Sequence, residues 1–536
     1  MKAKSCRGGP VMKSNGFVAA PGAPWPMPGH WQNSTDLMTL DPHTFDIVSN
    51  ANGCDVIENG ILRYKRLLVL DPDGVIDPDL TTISRLAMTI ENVTCGHDYY
   101  PHGDMDESYT LTLSPDSCTL HSNTIWGALK GLETFSQLLY LTDDKKYHIN
   151  QTIIDDSPRF SHRGLMIDTA RHFLSVDVII SILDAMSWDK FNVLHWHVVD
   201  DQSFPYPSRT YPNLTYKGAY TPYHQYSRDN VSTIINEARL RGIRVIPEFD
   251  TPGHTWSWGL AYPELITPCW GEGDEGGPNK PNYPLHGERE ILNPMNEFTY
   301  QFLDRLYQEI VDDFPDQFVH LGMDEVYYAC WMSNPNISDW MKTMNFTEYY
   351  QVEQYYSQRL VDIVNNKGSY YIIWQDPIGN GVQVNENTLV QIWKGDDEQS
   401  WQQYMSEVTS LGYDAILSSP WYLNLISYGE DWKTYYLEEP YSFTNDTKLW
   451  SKVKGGEACI WAEYVDGTNI LSRLWPRASA VAERLWSNQT VNNVNDAQYR
   501  LDQHRCRMVR RGIPAQPILN GYCGDYEWTH QMAPLN

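Results

Sequence analysis

Positive charge is what this 536-residue chain has least of: 40 Lys and Arg stand against 68 Asp and Glu, a formal net charge of −28. Binding to nucleic acid rests on neutralising phosphates with Lys and Arg, so nucleic acid is excluded as a partner. Long apolar runs are missing too. No stretch approaches the ~18 residues of a membrane span, so none is expected. Closely spaced cysteine pairs are also absent. Cys6, Cys54, Cys95, Cys118, Cys269, Cys330, Cys459, Cys506 and Cys523 include no C-x-x-C, which argues against zinc ribbons and thioredoxin-type chemistry. The start, Met1-Lys2-Ala3-Lys4-Ser5-Cys6, is basic, but no apolar core of ~7–15 residues follows, as a secretory signal would require.

Other features point outside the cytosol all the same. Nine Asn-x-Ser/Thr sequons begin at Asn33, Asn92, Asn150, Asn213, Asn230, Asn336, Asn345, Asn445 and Asn488, a density that a cytosolic chain rarely carries. The acidic balance suits an acidic compartment, where protonation of carboxylates and of the 16 His relaxes self-repulsion. A lysosomal or secreted protein is expected. Aromatic residues are plentiful, with 20 Trp and 35 Tyr; their flat faces suit the C–H faces of sugars, and equally they fill cores.

The chain is too long for one core. Residues 1–35 are rich in Gly and Pro and predict a disordered leader. Within 36–160, alternating runs such as Leu86-Ala87-Met88-Thr89-Ile90 and Tyr109-Thr110-Leu111-Thr112-Leu113 predict half-buried strands. A helix from Thr124 to Leu139, capped by Ser122 or Asn123, completes a small α+β domain. Across 161–536, short apolar strands alternate with longer helical stretches and end in a C-terminal helix and tail. The predicted strands are Arg163–Thr169, Val193–Asp201, Arg244–His254, Phe318–Val326, Tyr371–Asp376, Leu389–Lys394, Asp414–Trp421 and Gly455–Trp461, most with Asp, Glu, His or Trp at or near their ends. Eight alternations predict an α/β fold, a (β/α)8 TIM barrel whose functional groups gather at the C-terminal ends of the strands. A doubly wound open sheet would leave those residues unexplained.

The fourth strand ends in Asp324-Glu325. An Asp-Glu pair is ordinarily a solvated surface feature, but this one follows the buried-looking Phe318-Val319-His320-Leu321-Gly322 and precedes Val326. Two carboxylates at a barrel mouth suit a division of labour, one held protonated as general acid and one ionised. His195 and His197, on one face of a strand, with His254, His320 and Asp200 offer an alternative metal centre; that centre would leave the carboxylate pair without a purpose. No metal and no cofactor are expected.

Five motifs in order carry a resemblance: Arg163-Gly164-Leu165-Met166-Ile167-Asp168-Thr169-Ala170-Arg171-His172, His195-Trp196-His197-Val198-Val199-Asp200-Asp201, Glu248-Phe249-Asp250-Thr251-Pro252-Gly253-His254, the run ending in Asp324-Glu325, and Gly455-Gly456-Glu457-Ala458-Cys459-Ile460-Trp461. From about residue 36 onward the chain resembles family 20 glycoside hydrolases, in particular the lysosomal-type β-N-acetylhexosaminidases. The resemblance implies a retaining exo-hydrolase of terminal β-linked GlcNAc or GalNAc, with Glu325 as general acid and Asp324 orienting the substrate's 2-acetamido group. It implies Arg171 on the 3- and 4-hydroxyls, Asp200 and His254 as a relay to Glu325, and Trp374, Trp393 and Trp461 as walls of the acetamide pocket. Tyr422 would donate to the acetamide carbonyl, Glu463 would meet the 4-hydroxyl, and Asn424 would contact the 6-position. Disulfides Cys54–Cys95, Cys269–Cys330 and Cys506–Cys523 follow, leaving Cys6, Cys118 and Cys459 unpaired. A homodimer is expected.

The chain departs from the family at three places. Met323 stands where Gly is usual, and Asp376-Pro377 where Glu is common. Leu425 stands where relatives that accept 6-sulfated sugars have Arg, so neutral substrates should be preferred. A secreted enzyme acting on chitin oligosaccharides and a non-catalytic glycan-binding protein are the alternative readings; the intact Asp324 and Glu325 argue against the second.

Overall fold

The computed structural model describes residues 19–269, 291–395, 399–425, 427 and 429–523. The N-terminal sheet runs, in spatial order, Asp46–Ser49, Arg85–Asn92, Cys118–Thr124, Tyr109–Leu113, Lys146–Asp156, His30–Thr39 and Thr81–Thr82. Tyr109–Leu113 alternates buried and half-buried as its sequence does. The helix Ile125–Leu138 is buried along its whole length, because one side packs on the sheet core and the other meets the barrel, where Lys130 Nζ reaches the Phe191 carbonyl at 3.2 Å. Its cap is Thr124, whose hydroxyl accepts from the amides of Trp126 and Gly127. The expected caps fail because the helix starts at Ile125, so Thr124 is the residue that precedes it and Ser122 and Asn123 lie farther back in the strand.

The described part of the expected disordered leader, residues 19–35, includes a buried run over 22–26 and the start of the strand His30–Thr39, contrary to expectation. Trp25 is fully buried against Trp432, Tyr436, Ala480, Ala497 and Leu501, and its indole N–H donates to the Ser479 carbonyl at 2.9 Å. One large aromatic supplies the burial that composition alone did not reveal. The α+β domain therefore begins at His30 or before, not at 36. The first 18 residues, with Cys6, and the tail after Cys523 lie outside the described residues.

The barrel closes from β1 (His162–Asp168), β2 (Val193–Val199), β3 (Arg244–Thr251), β4 (Phe318–Gly322), β5 (Tyr370–Trp374), β6 (Leu389–Ile392), β7 (Asp414–Leu417) and β8 (Val453–Ile460), all parallel, β8 pairing with β1. The first three strands are buried on both faces, which is why they read as apolar runs with few alternations. The register shifts between His197 and Val199 and again between Glu248 and Thr251. These irregularities sit at the C-terminal ends of β2 and β3, where side chains are re-aimed toward the mouth. Disulfides join Cys54–Cys95, Cys269–Cys330 and Cys506–Cys523, and Cys118 and Cys459 are free and buried. No helix among the described residues is long and apolar enough to cross a membrane.

Candidate active site

The carboxylate pair is presented by an unusual piece of backbone. Gly322, Met323 and Glu325 all have φ between +51° and +72°, the left-handed region that costs ordinary residues of order 1 kcal/mol or more. Gly322 is required: a Cβ there would lie 1.7 Å from Asp250 Oδ1. Asp250 Oδ1 then accepts the Met323 amide at 3.0 Å, and Asp376 Oδ1 accepts the Glu325 amide at 3.3 Å. The Met323 side chain is fully buried in the barrel core rather than crowding the mouth.

This turn carries both carboxyls to one imidazole. His254 Nε2 lies 3.7 Å from Asp324 Oδ2 and 3.4 Å from Glu325 Oε2. Its Nδ1 faces Asp200 Oδ1 at 3.3 Å. Burial alone would discharge His254, but Asp200, Asp250 and Asp324 together hold it protonated well above the usual imidazole range.

The two carboxyls differ in the sense opposite to the one expected for a resting general acid. Burial pushes Asp324 up to about 7 against His254, with Asp376 and Glu325 adding to the rise. The hydrogen bond from His254 lowers Glu325, whose side chain is 57% exposed in the open site. The burial of Asp324 and the His254 hydrogen bond to Glu325, neither visible in sequence, set the order.

Around the pair, Arg171 bridges Asp168 Oδ2 at 3.1 Å and Asp200 Oδ2 at 2.9 Å, and its guanidinium lies 4.9 Å from the centre of the Trp461 ring. Glu463 is exposed nearby and adds to the field that keeps Arg171 charged. Trp374 and Trp461 sit 6.0 Å apart, and Trp393 stacks on Tyr422 at 6.4 Å; these rings line a single patch with Met166 and Cys459. Asn424 is half-buried, and its Oδ1 has no hydrogen-bond partner. Leu425 is exposed. Of the residues singled out from the sequence, Arg171, Asp200, His254, Asp324 and Glu325 form one ion-paired cluster and the four rings a second group, while Asn424 and Glu463 make no hydrogen bond to either.

A sequence profile described as glycosyl hydrolase family 20, catalytic domain, matches residues 160–489, and one described as beta-acetyl hexosaminidase like matches residues 24–138. The chain belongs to glycosyl hydrolase family 20. Beta-hexosaminidase subunit alpha of Mus musculus is 45% identical over 508 residues, covering 93% of this chain and 94% of that protein. Beta-hexosaminidase subunit beta of Homo sapiens is 46% identical over 521 residues, covering 94% and 90%. Among solved structures, a chitobiase of Flavobacterium johnsoniae superposes with a TM-score of 0.78 at 28% identity, covering 92% of this chain and 76% of that one. This family 20 chain is accordingly a glycoside hydrolase.

Several site residues were missed or misjudged from sequence. Asp376, read as a departure, lies at the centre: besides the Glu325 amide it accepts the Trp393 indole N–H at 2.6 Å and pairs with Lys394 at 2.8 Å. Its place at the end of β5 was the available signal. Asp168 accepts the amides of Ala170 and Arg171 and so folds the turn that aims Arg171. Glu248 was visible only as part of a motif; it bonds His195 at 2.9 Å, His197 at 2.5 Å and the Trp374 indole at 2.7 Å. In the alternative metal set, both ring nitrogens of His195 and of His197 are engaged by carboxylates. These imidazoles are hydrogen-bonded to the barrel's own acids.

Proposed function

We propose that the protein is a retaining exo-β-N-acetylhexosaminidase that removes terminal β-linked GlcNAc or GalNAc from glycans by substrate-assisted catalysis. The observation that carries the residue roles is the sharing of His254 Nε2 between Asp324 and Glu325. One proton can pass between the two carboxyls without leaving the site.

In the open site that proton favours Asp324, the more buried group. Substrate reverses the preference. The aglycone excludes water from Glu325, which favours its neutral form, and an acetamide N–H offered to Asp324 favours the anion. Glu325 then protonates the glycosidic oxygen while the acetamide carbonyl oxygen attacks the anomeric carbon. The nucleophile is tethered in the substrate and acts at high effective molarity, so the enzyme need not supply one. Asp324 balances the charge that grows on the acetamide nitrogen. Glu325 next takes a proton from water as the oxazolinium opens, and two inversions give net retention. Trp374, Trp393, Trp461 and Tyr422 enclose the acetamide, and Arg171, Glu463 and Asn424 bind the hydroxyls.

A lysosomal or secreted location belongs to the same proposal. It is supported by three disulfides and by the sequon asparagines, none of which is buried and seven of which are exposed. So does a homodimer, which sedimentation would test. The test of function is hydrolysis of chromogenic β-GlcNAc and β-GalNAc glycosides across about pH 3 to 8, with and without chelator. Acid-optimal, chelator-insensitive release of both sugars is expected; loss of activity on chelation, or binding without turnover, would contradict it.

A further inference from the structure

Beneath the active site the barrel interior holds a continuous ladder of alternating imidazoles and carboxylates. His162 Nε2 meets Glu457 Oε2 at 3.0 Å, and Glu457 Oε1 meets His195 Nδ1 at 2.6 Å. His195 Nε2 meets Glu248 Oε2 at 2.9 Å, which meets His197 Nδ1 at 2.5 Å. His197 Nε2 meets Asp200 Oδ2 at 2.7 Å, and Asp200 leads through His254 to Glu325. The ladder starts at the first residue of β1 and climbs through β8, β2 and β3 to the catalytic mouth. At its foot a cavity of about 600 Å³, lined by His162, Arg244, Lys452 and Lys454, opens at the opposite end of the barrel. All its rungs from His162 to Asp200 are buried.

We propose that His197, Glu248, His195 and Glu457 are positioning residues which, without touching substrate, fix the charge on the Asp200–His254 pair and through it the protonation of Glu325. The inference rests on the reading of Glu325 as general acid. Proton flow is not needed, because the proton Glu325 gives up in the first step returns from water in the second; the ladder acts through standing charge. From Glu457 upward each rung stabilises the opposite charge on the next, whereas burial lowers His162 at the foot. His197 lies between the carboxylates of Glu248 and Asp200, which outweigh its burial and hold it charged, up to about 10. With Arg171 and His254, it keeps Asp200 ionised despite burial. Asp200 in turn holds His254 charged, and His254 lowers Glu325.

Other charges face these groups. Glu248 also meets His320 Nδ1 at 3.2 Å, with Asp250 and Asp324 close by. Glu457 also accepts from Gln391, and Glu325 feels Arg171 and Lys394. The ladder and these bystanders predict opposite signs. Removing the Glu248 charge by direct Coulomb action would lower Glu325 further. Acting through the ladder, it weakens His197, then Asp200, then His254, and so raises Glu325.

The experiment is the pH profile of kcat/KM for Glu248→Gln against a β-GlcNAc glycoside with a poor leaving group. The lower of two coupled pKa values in the free enzyme follows Glu325, so its acid limb is the readout. The limb should move up by about half a pH unit or more, and Glu248→Asp, which keeps the charge, should return it toward the wild-type position. An unmoved or lowered limb, with activity merely reduced, would overturn the proposal. If Glu248→Gln does not fold, Glu457→Gln carries the same test with the same sign and a smaller shift. Glu325→Gln keeps the two readings apart: near-normal turnover of an oligosaccharide by that variant sinks the general-acid role, whereas a fixed limb in the ladder variants sinks only the ladder.

Discussion

Asp376→Asn removes one charge at a point where three donors converge. Its carboxylate accepts the Glu325 amide at 3.3 Å and the Trp393 indole at 2.6 Å, and it pairs with Lys394 at 2.8 Å. An amide of the same size has one acceptor oxygen, so at least one donor loses its partner and the new NH2 faces another donor. A hydrogen bond to a charged group contributes roughly 1.5–3 kcal/mol. About 1.4 kcal/mol is a tenfold change, so kcat/KM should fall ~10- to 100-fold as Glu325 and the Trp393 wall lose their shared anchor. The pH profile should move as well. Burial, opposed by His254 and reinforced by Asp376, holds Asp324 up at about 7. Without the Asp376 charge Asp324 titrates lower, and the alkaline limb of kcat/KM shifts toward acid. A chromogenic β-GlcNAc glycoside assayed between about pH 4 and 8 reads both effects. Activity within twofold of wild type, with the limb unmoved, would refute the reasoning.

Three further outcomes are expected. Asp324→Asn should cripple turnover, and a thiazoline mimic of the bicyclic intermediate should bind the wild type ~10²-fold or more tighter than substrate; a covalent sugar adduct on a carboxylate, caught by mass spectrometry, would contradict the scheme. Gly322→Ala, whose Cβ would meet Asp250 Oδ1 at 1.7 Å in a left-handed residue, should lower stability by about 1–3 kcal/mol and kcat more than KM; unchanged melting and kinetics would show that the turn is relaxed. With an exposed apolar residue at Leu425 and no cation at that position, neutral GlcNAc glycosides should be preferred over 6-sulfated ones by about tenfold or more; equal kcat/KM values would mean that another cation reaches the 6-position.

The barrel was legible because parallel strands covered on both faces are rich in apolar residues and recur between helical stretches, with functional polar residues at their C-terminal ends. The predicted second, third and fourth strands overran, reaching Asp201, His254 and Val326 where the ladders end at Val199, Thr251 and Gly322. The excess residues form the turns that carry Asp200, His254 and the Asp324–Glu325 pair, and three of them, His254, Met323 and Glu325, are in left-handed conformations that no periodicity announces. Asp376 was misjudged because a substitution seen against a family pattern reads as a loss until its hydrogen bonds are known. The relative pKa values of Asp324 and Glu325 depend on the burial of the first and the His254 hydrogen bond to the second, both three-dimensional properties. The buried His–Glu ladder was split among motifs on β1, β2, β3 and β8, and only barrel closure assembles it. Trp25, one aromatic in a Gly/Pro-rich segment, had no pattern around it to mark it as an anchor.

The central claim is that Glu325 delivers the proton that expels the leaving group. Hydrolysis by Glu325→Gln, compared between a GlcNAc oligosaccharide and an aryl glycoside with a good leaving group, tests it most directly. The account predicts a loss of about 10²–10⁴-fold on the oligosaccharide, a much smaller loss on the activated glycoside, and retained inhibitor binding. Near-normal turnover of the oligosaccharide, or an equal loss on both substrates, would contradict it.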